Sequence, residues 1–154
     1  METVKKILAP TDLSDLSCVG LRYALEMGRS QGAEVIVYYV IDLGDQWAVR
    51  REESGLVREM LERHRNMLDT FLREKFPNEL NLTEVRQVVE MGAAAANIIE
   101  KAEREGVDRI VMSTHGRTGI DHLLIGSVSE KVIARAPCPV LVVPVRKREA
   151  ARAA

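Results

Sequence analysis

Three short segments of this 154-residue chain carry residue types at spacings that suit a phosphorylated ligand. The longest is Ser113-Thr114-His115-Gly116-Arg117-Thr118-Gly119, continuing to Gly126-Ser127-Val128-Ser129. Gly126 lets backbone approach a ligand closely, and Ser127 opens a helix whose first amides lack internal partners. Those amides and the dipole behind them suit phosphate oxygens. Gly116 allows a second close approach, and the hydroxyls of Ser127 and Ser129 add neutral donors. The same glycines also fit plain turns, and Ser127 a plain helix cap. The other two segments, Pro10-Thr11-Asp12 and Val40-Ile41-Asp42, each close an apolar run. Asp12 could hydrogen-bond a ribose or stand beside a metal ion on the phosphates; it also suits organising the turn that follows.

Other reactive side chains offer less. His115 has the right ordinary pKa range for acid-base work but no evident carboxylate partner, so packing or a hydrogen bond is the preferred reading. Arg117 suits an oxyanion or solvent equally. His64, His115 and His122 show no ligand spacing, so no structural metal is expected. Cys18 and Cys138 form no C-x-x-C pair and have no basic neighbour marking a nucleophile. No catalytic residue is assigned.

The elements that must position these segments follow from periodicity. Apolar runs at Val4–Ala9, Ala33–Ile41, Leu82–Val89, Val107–Met112 and Pro139–Val145 read as five strands, with Pro10 closing the first. Between them lie four helices. Ser14 is the expected N-cap of the first, whose stripe is Cys18, Leu21, Leu25 and Gly28, with a stop near Gly32. The second runs from about Arg51 towards Phe76, with Val57, Leu61, His64, Leu68 and Phe71 on one face and Pro77 ending it. A loop holding Trp47 precedes it. The third spans Ala93–Glu105 with a Gly106 stop. Ser127-x-x-Glu130 reads as a capping box opening the fourth, which Pro137 ends. Such alternation implies a mostly parallel sheet with helices on both faces. Ligands then bind at carboxyl ends of strands where the winding reverses.

Composition bounds the partners. A hydrophobic fraction of 46%, a charged fraction of 29% and a net charge of −1 from 22 basic and 23 acidic residues describe a globular chain without a field for nucleic acid or a membrane face. No apolar run is long enough to span a bilayer, and the first residues read as a strand. The expectation is a reduced, cytoplasmic protein with one α/β domain over residues 1–146 and a polar, frayed tail over 147–154.

The stretches Val107–Gly119, Leu124–Ser129 and Pro137–Pro144, with Ile7–Ser14 and Val88–Gly92, resemble the universal stress protein family across Val4 to Val145. That resemblance implies a Rossmann-like, open five-stranded sheet in the order 3-2-1-4-5. It also points to the family's ATP-binding branch, marked by Gly, two residues, Gly, nine residues, then Gly and Ser or Thr. Gly116, nine residues and Gly126-Ser127 match; Ser113 replaces the first glycine. By carry-over, Pro10, Thr11, Asp12 and Val40 line the nucleoside pocket and Met112 and Ser113 lie under the ribose. Gly116, Gly126, Ser127, Val128 and Ser129 hold phosphate, with His115 and Arg117 in the same loop. The implied ligand is ATP or AMP with Mg or Mn.

The function so implied is an adenine-nucleotide-binding regulatory protein of the stress response, acting through conformation and partner choice. A homodimer through the apolar edge strand 139–145 is expected, and the family resemblance implies it too. The loop has no Gly-Lys-Ser/Thr and no lysine, which speaks against efficient phosphoryl transfer. A slow ATP hydrolase or phosphotransferase, and a dimeric scaffold that binds no nucleotide, are the alternatives.

Overall fold

The computed structural model describes residues 2–44, 55–114 and 125–145. Its elements alternate: β1 (Lys6–Thr11), α1 (Ser17–Gln31), β2 (Glu34–Asp42), α2 (Gly55–Lys75), β3 (Val85–Gly92), α3 (Ala94–Glu105), β4 (Arg109–Ser113), α4 (Ser127–Arg135) and β5 (Val140–Val143). A single 3-10 turn, Glu79–Asn81, joins α2 to β3. The five strands form one sheet in the order β3-β2-β1-β4-β5, every described pairing parallel. This is the expected fold and strand order, and the winding reverses between β1 and β4.

Alternation along the strands sorts the core into two layers. Ile7, Ala9, Val35, Val37, Val89 and Val111 pack with Leu21, Ala24 and Leu25 of α1 and Leu68 and Leu72 of α2. Leu8, Ile36, Tyr38, Ile110 and Met112 pack on the other face with Ala95, Ile98 and Ala102 of α3 and Val132 of α4. Helix α1 presses close to the sheet because Gly20, Ala24 and Gly28 recur at every fourth position, all buried. Left-handed Gly32 (φ 65°) and Gly106 (φ 59°) end α1 and α3 as expected, since a Cβ is disfavoured there.

Several boundaries differ from the periodicity, each for a tertiary reason. Pro10 lies inside β1, registered with Tyr38. The β4 ladder is registered at Ile7 and Leu8, so at Pro10 that flank has no pairing for a missing N–H to interrupt. Helix α1 begins at Ser17 with Leu16, not Ser14, at its N-cap and no side-chain cap. Ser14 instead closes the turn before the helix, its Oγ (3.2 Å) and O (3.1 Å) both accepting the Ser17 N–H. β3 starts at Val85, not Leu82, which is 61% exposed in the preceding turn. Pairing with β2 starts only where Val35 N–H reaches Glu84 O (2.8 Å), and it carries β3 on to Gly92 opposite Asp42.

β4 likewise starts at Arg109, because Val107 N–H caps α3 through Ala102 O (3.1 Å) and the Asp108 carboxylate accepts the Lys5 (2.8 Å) and Lys6 (2.9 Å) amides. At the fourth helix the expected capping box does not form. Gly126 is the N-cap, extended at φ −60° and ψ 158°, and Ser127 is the first helical residue. Pro137 ends the helix as expected, with Ala136 extended before it. β5 spans Val140–Val143 rather than 139–145, although Pro139 O still accepts the Ile110 N–H (3.1 Å). Trp47, the start of the second helix before Gly55, and the tail 147–154 lie outside the described residues.

Candidate functional site

Parallel register brings three candidate segments to one edge of the sheet. Thr11 is registered with Tyr39, so Val40 lies one step beyond it on β2. On the other side β1 adjoins β4, whose last residue is Ser113. The carboxyl ends of β1 and β4 therefore open onto the point of reversal, where such folds bind ligands.

The turn after β1 is tied by its own side chains. Buried Thr11 places Oγ1 2.7 Å from Ser17 Oγ and accepts the Leu13 N–H (3.0 Å). Asp12 is exposed; its Oδ1 accepts the Ser14 N–H (2.9 Å) and the Ser14 hydroxyl. Leu13 has φ 63°, the one described non-glycine residue in the left-handed region. Such a conformation costs on the order of 1–2 kcal/mol. It is held by the bonds on either side and by packing of the Leu13 side chain against the α1–α2 core layer. Asp12 thus organises the turn through Oδ1, while its second carboxylate oxygen has no hydrogen-bond partner among the described residues.

Across the reversal, α4 presents its first turn. The first helical bond runs from Glu130 N–H to Gly126 O (2.9 Å), so the amides of Ser127, Val128 and Ser129 point out of the helix end. Gly126 differs from expectation. Its own N–H donates to Thr114 O (3.2 Å), and its φ of −60° is open to any residue. Gly126 therefore ties the start of α4 to the end of β4. Ser127 is exposed, and Val128 packs against the α3–α4 core layer. Ser129 is buried and its Oγ donates to Ser113 O (3.4 Å), which ties it to the sheet. Met112 is buried in the α3–α4 core layer. Pro10 and Val40 are half-buried. His115, Gly116 and Arg117 lie outside the described residues.

Two residues not singled out above complete the frame. Thr114 is a hub: its N–H donates to Val143 O (3.1 Å), its carbonyl accepts from Gly126, and its Oγ1 accepts the Val145 N–H (3.4 Å). Gly20 on α1 donates its N–H to Ser113 Oγ (2.8 Å). The small-residue spacing Gly20, Ala24, Gly28 was the signal available for Gly20; nothing local marks Thr114.

Tyr38 OH donates to Glu90 Oε2 (2.5 Å), and Lys101 Nζ donates to Glu90 Oε1 (2.8 Å). Burial, followed by the Glu90 bond and charge, pushes the Tyr38 phenol up. Burial alone would raise Glu90, but the bonds from Lys101 and Tyr38 hold it below its usual range. His64 packs on α2, Nδ1 2.7 Å from Met60 O and its ring 5.8 Å from that of Tyr39. Burial raises the thiol pKa of both Cys18 and Cys138, the opposite of an activated nucleophile. Among the described residues, no three His, Cys, Asp or Glu side chains gather as a metal site.

With this geometry in view, similarity to known proteins is informative. The universal stress protein family model matches residues 3–144. The chain belongs to the universal stress protein family. It is 38% identical over 147 residues to universal stress protein MJ0531 of Methanocaldococcus jannaschii, covering 94% of this chain and 85% of that one. Universal stress protein MJ0577 of the same organism is 33% identical over 153 residues, with 90% and 94% covered. The solved structure of MJ0577 superposes with a TM-score of 0.69 at 32% identity, covering 95% of this chain and 99% of that one. A universal stress protein solved in complex with cAMP superposes at 0.67 over 93% of this chain and 98% of that one; at 19% identity it attests the fold.

Proposed function

We propose that this universal stress protein is an adenine-nucleotide-binding regulatory protein. The observation that carries the reading is the topology at the β1–β4 reversal: exposed Asp12 follows the carboxyl end of β1, and the α4 amides of Ser127, Val128 and Ser129, free of helical partners, come in the chain after the carboxyl end of β4. Nucleoside would lie along Pro10, Thr11, Asp12, Val40 and the Met112–Ser113 backbone, with phosphate on the α4 amides. His115, Gly116 and Arg117 belong to the same proposed loop. A related fold solved with cAMP bound supports an adenine nucleotide as the ligand class. Mg or Mn would accompany ATP, held by phosphate oxygens, with the exposed Asp12 carboxylate suited to join it.

The protein would act through nucleotide-dependent shape and partner choice rather than turnover. It would do so in the cytoplasm, as a homodimer paired along β5. Mass spectrometry of nucleotide released from the purified protein tests the reading. Recovered ATP or AMP is the expected result. A protein that is purified empty and ignores added Mg-ATP in calorimetry overturns it.

A further inference from the structure

Ser113 stands where the nucleotide-binding motif has glycine, and its side chain has a specific partner. Alternation puts Ser113 on the same sheet face as Val111, which packs in the α1–α2 core layer, and opposite Met112. Its Oγ accepts the N–H of Gly20, 2.8 Å away, near the start of α1. The fit is close: a Cβ on Gly20 would lie 2.7 Å from Ser113 N, 2.8 Å from Ser113 Oγ and 2.9 Å from the Met112 carbonyl carbon. From the same residue, the Ser113 carbonyl accepts the Ser129 hydroxyl on α4 (3.4 Å). Ser113 is followed by Thr114, whose carbonyl holds the Gly126 amide (3.2 Å).

We infer that Ser113 is a positioning residue that clamps α1 to the start of α4 through Gly20, and so sets the phosphate-facing amides relative to the Asp12 turn. Its hydroxymethyl lies against α1. This rests on the nucleotide-binding reading above and deepens it. The clamp has two halves, a side chain on Gly20 and a backbone on the α4 loop. Losing the first removes the tie to α1 from the end of β4, which carries the second and stays paired to β5.

The test compares wild type with Ser113→Ala and Ser113→Gly at a temperature well below either variant's melting transition. Calorimetry with Mg-ATP and with adenosine is read alongside hydrogen exchange of the Gly20 and Gly126 amides. ATP affinity should fall about three- to tenfold in both variants, the effect of losing one neutral hydrogen bond, while adenosine changes less than about twofold. Both amides should exchange faster. Restoring the motif glycine should therefore weaken ATP. Tighter ATP binding by Ser113→Gly, equal losses for ATP and adenosine, or unchanged exchange at Gly126 would each overturn the inference. If wild type binds neither ligand, the nucleotide reading fails, and the clamp is judged by exchange alone: faster exchange at both amides upholds it, and unchanged exchange at either rejects it.

Discussion

Gly126 shows how one residue's role changes once its bonds are known. With φ at −60° and its amide on Thr114 O, it needs no special backbone freedom. A small residue is still required if phosphate rests on the next three amides, because a branched side chain would stand beside them. Gly126→Val should therefore leave the protein folded while weakening Mg-ATP binding at least about tenfold, from the loss of one or more charge-assisted hydrogen bonds at about 1.5–3 kcal/mol each. Ser127→Ala should cost less, since it removes an exposed hydroxyl and no amide. Calorimetry on both variants, with thermal melts as the folding control, checks this; a folded Gly126→Val that binds as wild type does would move the phosphate site elsewhere.

At the scale of elements, helix–sheet contact is set by space. A Cβ on Gly28 would lie 2.5 Å from Val35 Cγ2 and 2.9 Å from Thr83 Cγ2. Gly28→Ala improves helix propensity by about 1 kcal/mol, but overpacking the α1–β2 contact costs about 1–3 kcal/mol. The net change should be a lower melting temperature, and a higher one would mean that the helix can shift. At the same end of the sheet, Arg86 bridges Glu34 (2.7 Å) and Glu105 (2.7 Å). The Arg86 hydrogen bonds hold the Glu105 carboxyl down at about 2, against an ordinary value of 4.5. The folded state thus binds this proton more weakly than the unfolded chain. The bridge stabilises above the unfolded pKa, and the gain is lost as pH falls from about 4.5 towards 2. Glu105→Gln should flatten that part of the stability curve and cost about 1 kcal/mol at neutral pH after solvent screening. Urea midpoints between pH 2 and 7 would show it.

At the scale of the whole molecule, the sheet has an unfinished edge. β5 ends the order β3-β2-β1-β4-β5, and Val140, Leu141, Val142 and Val143 are all partly exposed. Ile133 on neighbouring α4 is 44% exposed. Single domains usually blunt such an edge with charge, whereas Pro144 here limits only one end. Pairing with a second copy about a two-fold axis would cover it. Light scattering should give twice the 17.2 kDa chain mass, and Leu141→Lys should shift the protein to monomer. A wild-type monomer at micromolar concentration would rule out the paired edge.

The sequence alone determined the alternation of strands and helices, the parallel sheet and the glycine stops at Gly32 and Gly106. These rest on local causes: side-chain periods of two and 3.6, and backbone freedom at a helix end. Strand order came from family resemblance, and the observed pairing bears it out. The tertiary structure decided what depends on distant partners. Pro10 stays in β1 because of where the β4 ladder ends. β3 starts where β2 supplies carbonyls and amides. Gly126 caps α4 because Thr114, twelve positions earlier, holds its amide. The Ser113 hydroxyl finds its partner in Gly20, 93 residues away along the chain. Residues that meet only after the sheet has formed leave no periodic trace, so a local pattern can mark the serine but not its partner.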